Sequence, residues 1–80
     1  MQIVWDEPKR LINLKTHRLD FGDLTLAFFE GAVVRAAKLD RFQAVGRLDD
    51  GPALSVIFSP LAASASSRVV GCTVWPTVQM

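Results

Sequence analysis

An α+β domain is the fold class this sequence predicts, with two N-terminal helices packed on one face of a mainly antiparallel sheet in the order β-α-α-β-β-β-β. Three observations predict it. Apolar residues recur at helical spacing only before Gly31. Short β-branched and alternating runs fill the remainder, punctuated by an Asp-Gly turn. Eighty residues, 50% of them hydrophobic, are enough for one thin core and no second domain.

Ile3, Val4 and Trp5 form a β-rich run, so residues 2–5 read as a strand. Asp6 follows as an N-cap, with Glu7 and Pro8 in the first turn, where an acid suits the positive helix end and a proline loses no helical bond. Leu11, Ile12 and Leu14, set among Lys9, Arg10, Asn13 and Lys15, then give an amphipathic helix to about residue 17. Asp20 is the expected cap of a second helix, with Asp23 in the capping-box place. Phe21, Leu24 and Phe28 share one face of it, Leu26 and Phe29 widen that face, and Gly31 ends it. A helical stripe of this kind reads as core before it reads as a base-stacking platform.

Residues 32–38 are β-compatible, and Leu39-Asp40 reads as a tight turn. Residues 41–48 alternate, placing Arg41, Gln43, Val45 and Arg47 on one face and Phe42, Ala44, Gly46 and Leu48 on the other. Asp49-Asp50-Gly51 suits a hairpin turn, because glycine accepts positive φ without a steric cost. Residues 53–59 are largely apolar, as a central strand would be. Residues 60–67 read as a loop of small residues, and residues 68–75 as a last strand closed by Pro76.

Composition excludes several classes. The apolar content rules out a disordered chain, and five Gly with four Pro rule out a collagen-like or low-complexity one. No stretch reads as a membrane-spanning helix, and the opening Met1-Gln2-Ile3-Val4-Trp5-Asp6-Glu7 lacks the basic-then-apolar order of a secretory signal. A cytoplasmic protein is the expectation. One cysteine, Cys72, excludes an internal disulfide or a cysteine-built zinc site. The formal net charge of +1 is too small to drive binding to a polyanion by itself. Its distribution says more, since all eight Asp/Glu lie in residues 1–50 and residues 51–80 carry one charge, Arg68. Either that segment is buried against something, or it is not this fold's usual ending.

No Ser-His-Asp order, phosphate-binding glycine loop or metal-ligand cluster is present, and no cofactor is implied. His17 is the one imidazole, a candidate general base or a residue that merely helps a helix end. Arg41 and Arg47 share a strand face but stand about 20 Å apart, too far to grip one phosphate together. They either contact phosphates several nucleotides apart or form a solvated face. Lys9, Arg10, Lys15, His17 and Arg18 cluster around the first helix, flanked by Asp6, Glu7 and Asp20. Trp5 and Trp75 suit core or interface positions, and Cys72 lacks the basic neighbour a nucleophile needs.

The run Ile3-Val4-Trp5-Asp6-Glu7-Pro8-Lys9-Arg10-Leu11, then Asn13, His17 and Leu19-Asp20-Phe21, resembles the BrnT family. So do Phe28-Phe29-Glu30-Gly31 and Arg41-Phe42-Gln43-Ala44-Val45-Gly46-Arg47-Leu48 ahead of the Asp-Gly turn. The resemblance spans residues 2–61. It implies a RelE-like fold and a metal-independent endoribonuclease toxin of a type II toxin–antitoxin module, which blocks translation by cutting RNA. The implied partner is a BrnA-like antitoxin with a ribbon-helix-helix DNA-binding domain, alongside the RNA substrate, in a homodimer or a heterotetramer. On this resemblance His17, Arg41 and Arg47 are catalytic candidates, and Lys9, Lys15 and Arg18 are RNA-binding candidates.

The chain departs from the family in two places. Thr16-His17-Arg18 stands where the family has Lys-His-Gly, so Arg18 must avoid or tolerate positive φ. Beyond residue 61 the family's arginine and basic segment are absent, and Cys72 or a near neighbour falls where the arginine would. A reading-frame shift near residues 62–68 would account for an atypical segment over 62–80. A catalytically impaired remnant that only binds its antitoxin is the alternative function. Uncharged terminal strands, over residues 62–67 and 69–78, are expected to leave an edge that a partner covers.

Overall fold

A computed structural model describes residues 2–48, 51–61 and 66–75. Strand β1 (Gln2–Trp5) leads into helix α1 (Glu7–His17). A 3₁₀ turn (Phe21–Asp23) and helix α2 (Leu26–Gly31) follow. Strands β2 (Val33–Ala36), β3 (Phe42–Arg47), β4 (Ala53–Leu61) and β5 (Ser66–Val74) complete the fold. The five strands form one mixed sheet in the order β1-β5-β4-β3-β2, with β1 parallel to β5 and the other neighbours antiparallel.

Asp6 takes the N-cap position of α1 with extended backbone, but its side chain makes no capping bond. Its carbonyl accepts from the Arg10 N–H at 3.0 Å, the first turn of the helix. The expected single helix from Asp20 to Gly31 is two elements. Asp20 caps only the 3₁₀ turn, accepting from Gly22 N, while Thr25 accepts from Phe28 N and caps α2. Two cap residues five positions apart divide the segment, yet Phe21, Leu24 and Phe28 all still reach the core.

The core face of the sheet is the one the alternation indicates. Ala44, Leu54, Val56, Phe58, Val69 and Cys72 are buried against Phe21, Leu24 and Phe28. Gly46 allows a close approach there: a Cβ at that position would lie 3.1 Å from the Ala32 Cβ and 3.3 Å from Phe28 Cε2, so both neighbours would have to give way. Phe28, Phe29, Phe58 and Phe42 form a chain of ring contacts at 5.2, 5.4 and 5.9 Å between centroids, joining α2 to the sheet.

Three further expectations change. The strand over residues 32–38 is shorter, Val33–Ala36. Pro60 and Leu61 belong to β4, and Ser66 and Ser67 to β5, so the expected loop over 60–67 is strand at both ends, and its residues 62–65 lie outside the described ones. Above all, β5 is not an edge. It lies between β1 and β4 with α1 packed on it, and the edges are β1 and β2. The near absence of charge after residue 50 is the mark of an inner strand pair, since an unpaired charge there would be desolvated. Asp49 and Asp50 of the expected hairpin turn, and Pro76, lie outside the described residues. The Gly51 N–H donates to the Leu48 carbonyl at 2.9 Å.

Candidate nucleic-acid interface

The cations of this chain divide into those that are engaged and those that are not. Arg10 is engaged on both sides. Its guanidinium binds Glu7 through Nε and Nη2, and its Nη1 reaches both Asp20 oxygens at 3.1 Å. It ties the first turn of α1 to the 3₁₀ turn, and it is structural. The Arg10 hydrogen bond, followed by that of Trp5 Nε1, holds the Glu7 carboxyl below its usual range. The Gly22 N–H, followed by Arg10, does the same for Asp20. Arg47 donates to the Gly51 carbonyl at 3.3 Å. Among the described residues, the side chains of Lys9, Arg41 and Arg68 hold no hydrogen bond or ion pair.

Register brings these three cations to one end of the sheet. Phe42 pairs with Phe58, so Arg41 enters β3 beside Ser59, whose hydroxyl donates to the Asp40 carbonyl at 3.3 Å. Ser59 pairs with Arg68 in β5, and Arg68 pairs with Val4 in β1. Arg41 and Arg68 therefore flank β4, about 10 Å apart along the backbone. Past Val4 the chain enters α1, and Trp5, Asp6, Lys9 and Arg68 line one groove. Lys9 also lines a second groove, between α1 and β5, with Ile12, Asn13, Thr16, His17 and Val70. Lys9 thus joins the groove of Arg68 to that of His17, which is exposed in the last turn of α1, about 12 Å along the helix from Lys9, and Arg41 stands beside β4 at the same end of the sheet.

The other candidates stand apart. Arg47 pairs with Ala53 at the opposite end of β3. Lys15 and Arg18 line a groove with Leu11 and Leu14. A helical step of about 100° puts Leu11, Leu14 and Arg18 on the flank of α1 opposite Lys9 and Thr16. Arg18 tolerates positive φ, with a left-handed backbone of φ 60° and ψ 27° at the helix C-cap.

Arg68 is the site residue that the motif reading misses. Its one sequence signal was being the single charge in an otherwise uncharged stretch. Cys72 is no nucleophile: it faces the core at 1% exposure, and burial pushes its thiol up to about 11. Chemically, Arg41, Arg68, Lys9 and His17 offer two guanidiniums and an ammonium for phosphate oxygens and an imidazole for proton transfer. Among the described residues no group of three or more His, Cys, Asp or Glu could hold a metal ion, and no helix is long and apolar enough to cross a membrane.

No family model matches the chain, and neither does any curated protein. Among solved structures, the chain is similar to the 1.1 Å crystal structure of the ribonuclease toxin BrnT of Brucella abortus. The TM-score is 0.88 at 39% sequence identity, over 99% of this chain and 99% of that one.

Proposed function

The chain belongs to the BrnT family, and from that premise we propose that it is an endoribonuclease toxin of a type II toxin–antitoxin module. It arrests translation by cutting RNA in the cytoplasm and is neutralised by a BrnA-like antitoxin of the ribbon-helix-helix kind. The observation that carries this reading is the alignment of three unengaged cations, Arg41, Arg68 and Lys9, at one end of this sheet. The chain is taken as a single domain over residues 1–80 with RelE-like topology and an atypical segment over 62–80. Its two sheet edges, β1 and β2, leave room for a homodimer or for a heterotetramer with the antitoxin.

Cleavage needs the ribose 2′-oxygen to lose its proton and attack the adjacent phosphorus, and the 5′-oxygen to leave with a proton. The products are a 2′,3′-cyclic phosphate and a 5′-hydroxyl. Arg41 and Arg68 hold the phosphate and the charge that builds on it, and a bidentate fork suits that task. Lys9 adds charge between them and His17, and His17 transfers a proton. Guanidinium and ammonium groups can stabilise the phosphorane without a metal or cofactor, which is how we read the reaction. Arg47, Lys15 and Arg18 contact RNA outside the reacting phosphate.

Cys72 favours a second reading. The family's late arginine would fall at Cys72 or a near neighbour, and Cys72 is a buried side chain with no charge to offer. An impaired toxin that still binds its antitoxin would look like this.

Induced expression separates the two. Translation arrest, with cyclic-phosphate ends on RNA cleaved by the purified chain in the presence of a chelator, is the expected result. Unimpaired growth with soluble, folded protein that cleaves no RNA would leave the antitoxin-binding remnant.

A further inference from the structure

The sheet face turned away from the helices carries a polar cluster that this site does not use. Gln43 and Ser55 lie on that face, alternating with the core residues Phe42, Ala44, Leu54 and Val56. Arg35 of β2 pairs with Gln43, and its Nε donates to Gln43 Oε1 at 2.6 Å. Gln43 Nε2 donates in turn to the hydroxyl of Ser55, a residue only 4% exposed. The Arg35 guanidinium carbon also sits 5.5 Å from the centre of the Trp75 ring. Arg35 is thus anchored through one N–H and one ring contact. Its two Nη groups make no hydrogen bond among the described residues, and no carboxylate pairs with it.

An arginine fixed in this way has already lost much of the side-chain freedom that binding would cost, and it still presents the fork that fits a phosphate. Trp75 is 37% exposed, with ring surface left for a base. Trp75 and Arg47 both flank Ala53, Trp75 through its N–H to the Ala53 carbonyl at 2.9 Å and Arg47 through the strand pair. No Asp or Glu occurs in β2, β3, β4 or β5.

We propose that Arg35 is a backbone-phosphate site for single-stranded RNA on the open sheet face, with Gln43 as its positioning residue and Trp75 as the stacking surface for the adjacent base. This rests on the ribonuclease reading and extends the RNA path from the Arg41 end of the sheet to the Arg47 end. It also gives Arg47 a binding rather than a catalytic place.

The test is binding of an uncleavable probe, a single-stranded RNA of about ten nucleotides with 2′-O-methyl riboses. Arg35→Ala should weaken binding about tenfold and lower the salt slope by about 0.7, the value of one phosphate on a single strand. Gln43→Leu should weaken binding about threefold with the slope unchanged, because the charge remains but its anchor is gone. A purely structural role for Gln43 would move the unfolding midpoint instead. Arg35→Lys, which keeps the charge without the fork, should fall between wild type and Arg35→Ala, and it serves if the alanine variant does not fold. Unchanged affinity in Arg35→Ala, or a wild-type chain that does not bind the probe, overturns the proposal. Loss of an acidic protein partner with RNA affinity intact also overturns it. Cleavage of unmodified RNA is followed alongside. Its absence sinks the ribonuclease reading, whereas cleavage with Arg35→Ala binding unchanged sinks only the present inference.

Discussion

The backbone N–H of Cys72 donates to Asn13 Oδ1 at 3.2 Å, across 59 residues of sequence. The other end of the same amide, Asn13 Nδ2, donates to the Leu19 carbonyl at 3.0 Å. One side chain, 8% exposed, therefore fixes α1 against β5 and holds the loop after the helix. Asn13 also lines the groove with Lys9, His17 and Val70. Asn13→Ala would leave a buried donor and a part-buried acceptor without partners, so unfolding in urea should show a loss of about 2–3 kcal/mol. The Cys72 thiol reports the same event. Buried and with its pKa pushed up to about 11, it should resist a thiol reagent in the native protein and react faster in the variant. An unchanged urea midpoint would contradict this account of the amide.

Arg18 and Leu39 both sit at φ 60°, where a side chain crowds its own backbone. Leu39 is the second residue of a turn closed by the Arg41 N–H on the Lys38 carbonyl at 3.3 Å, and at 90% exposure its side chain buries almost nothing. Glycine relieves the crowding but loses more freedom on folding, so Leu39→Gly and Arg18→Gly should each stabilise by about 0.5–1 kcal/mol. Thermal unfolding checks both. Arg18→Gly should also weaken RNA binding while raising the melting temperature. A drop in both quantities would mean that the Arg18 side chain holds the fold, contrary to its exposed position.

Much of this was legible locally, because period and capping are local. The alternation around Ala44 and Val45 indicates which face of β3 is buried, and the spacing of Leu11 and Leu14 gives the presence of α1 but not its buried side, since Leu11 and Ile12 are exposed at 52% and 65% and the buried residue of the helix is Asn13, held by its hydrogen bonds. The Phe21 segment departs from the expected single helix because Phe21, Leu24 and Phe28 satisfy one long helix or two short turns equally well. Thr25, a capping residue inside the stripe, is the local sign of the division. Nothing local tells β5 that its neighbour is β1, since a parallel pairing across most of the chain leaves no turn to read. The place of Arg68 follows only from that pairing. So does the distance between Arg35 and Trp75, which meet across β3 and β4. The site was therefore half visible: its residue types could be named, but their grouping needed the register.

Acid should weaken the α1 anchor in a defined window. Glu7 and Asp20 both have their carboxyl pKa lowered in the folded chain, from ordinary values of 4.5 and 3.8, with Arg10 hydrogen-bonded to each. A lowered pKa contributes stability above the ordinary value, and the contribution is lost as pH falls through the folded one. The melting temperature should hold from neutrality to about pH 4.5 and drop below it. Arg10→Gln should start lower and lose less over that acid range. An equal acid loss in both proteins would place the sensitive carboxylates elsewhere.

The two ends of β3 make the sharpest test of the proposed chemistry. Arg41 shares its end with Arg68 and Lys9, whereas Arg47 stands at the other with Ala53. Groups that stabilise charge only in the transition state lower kcat when removed, and groups that hold the strand elsewhere raise KM. Arg68→Ala and Arg41→Ala should each slow RNA cleavage about 10²-fold in kcat, and His17→Gln should do so by about 10²–10³-fold. Arg47→Ala should act mainly on KM. The Arg41→Ala, Arg68→Ala double variant should cost less than the product of the single losses, because both side chains serve one phosphate. All four residues are exposed, so urea midpoints should stay near wild type, and a loss of rate cannot be a loss of fold. A larger kcat effect from Arg47 than from Arg68 would move the reacting phosphate to the far end of the sheet, beside Trp75.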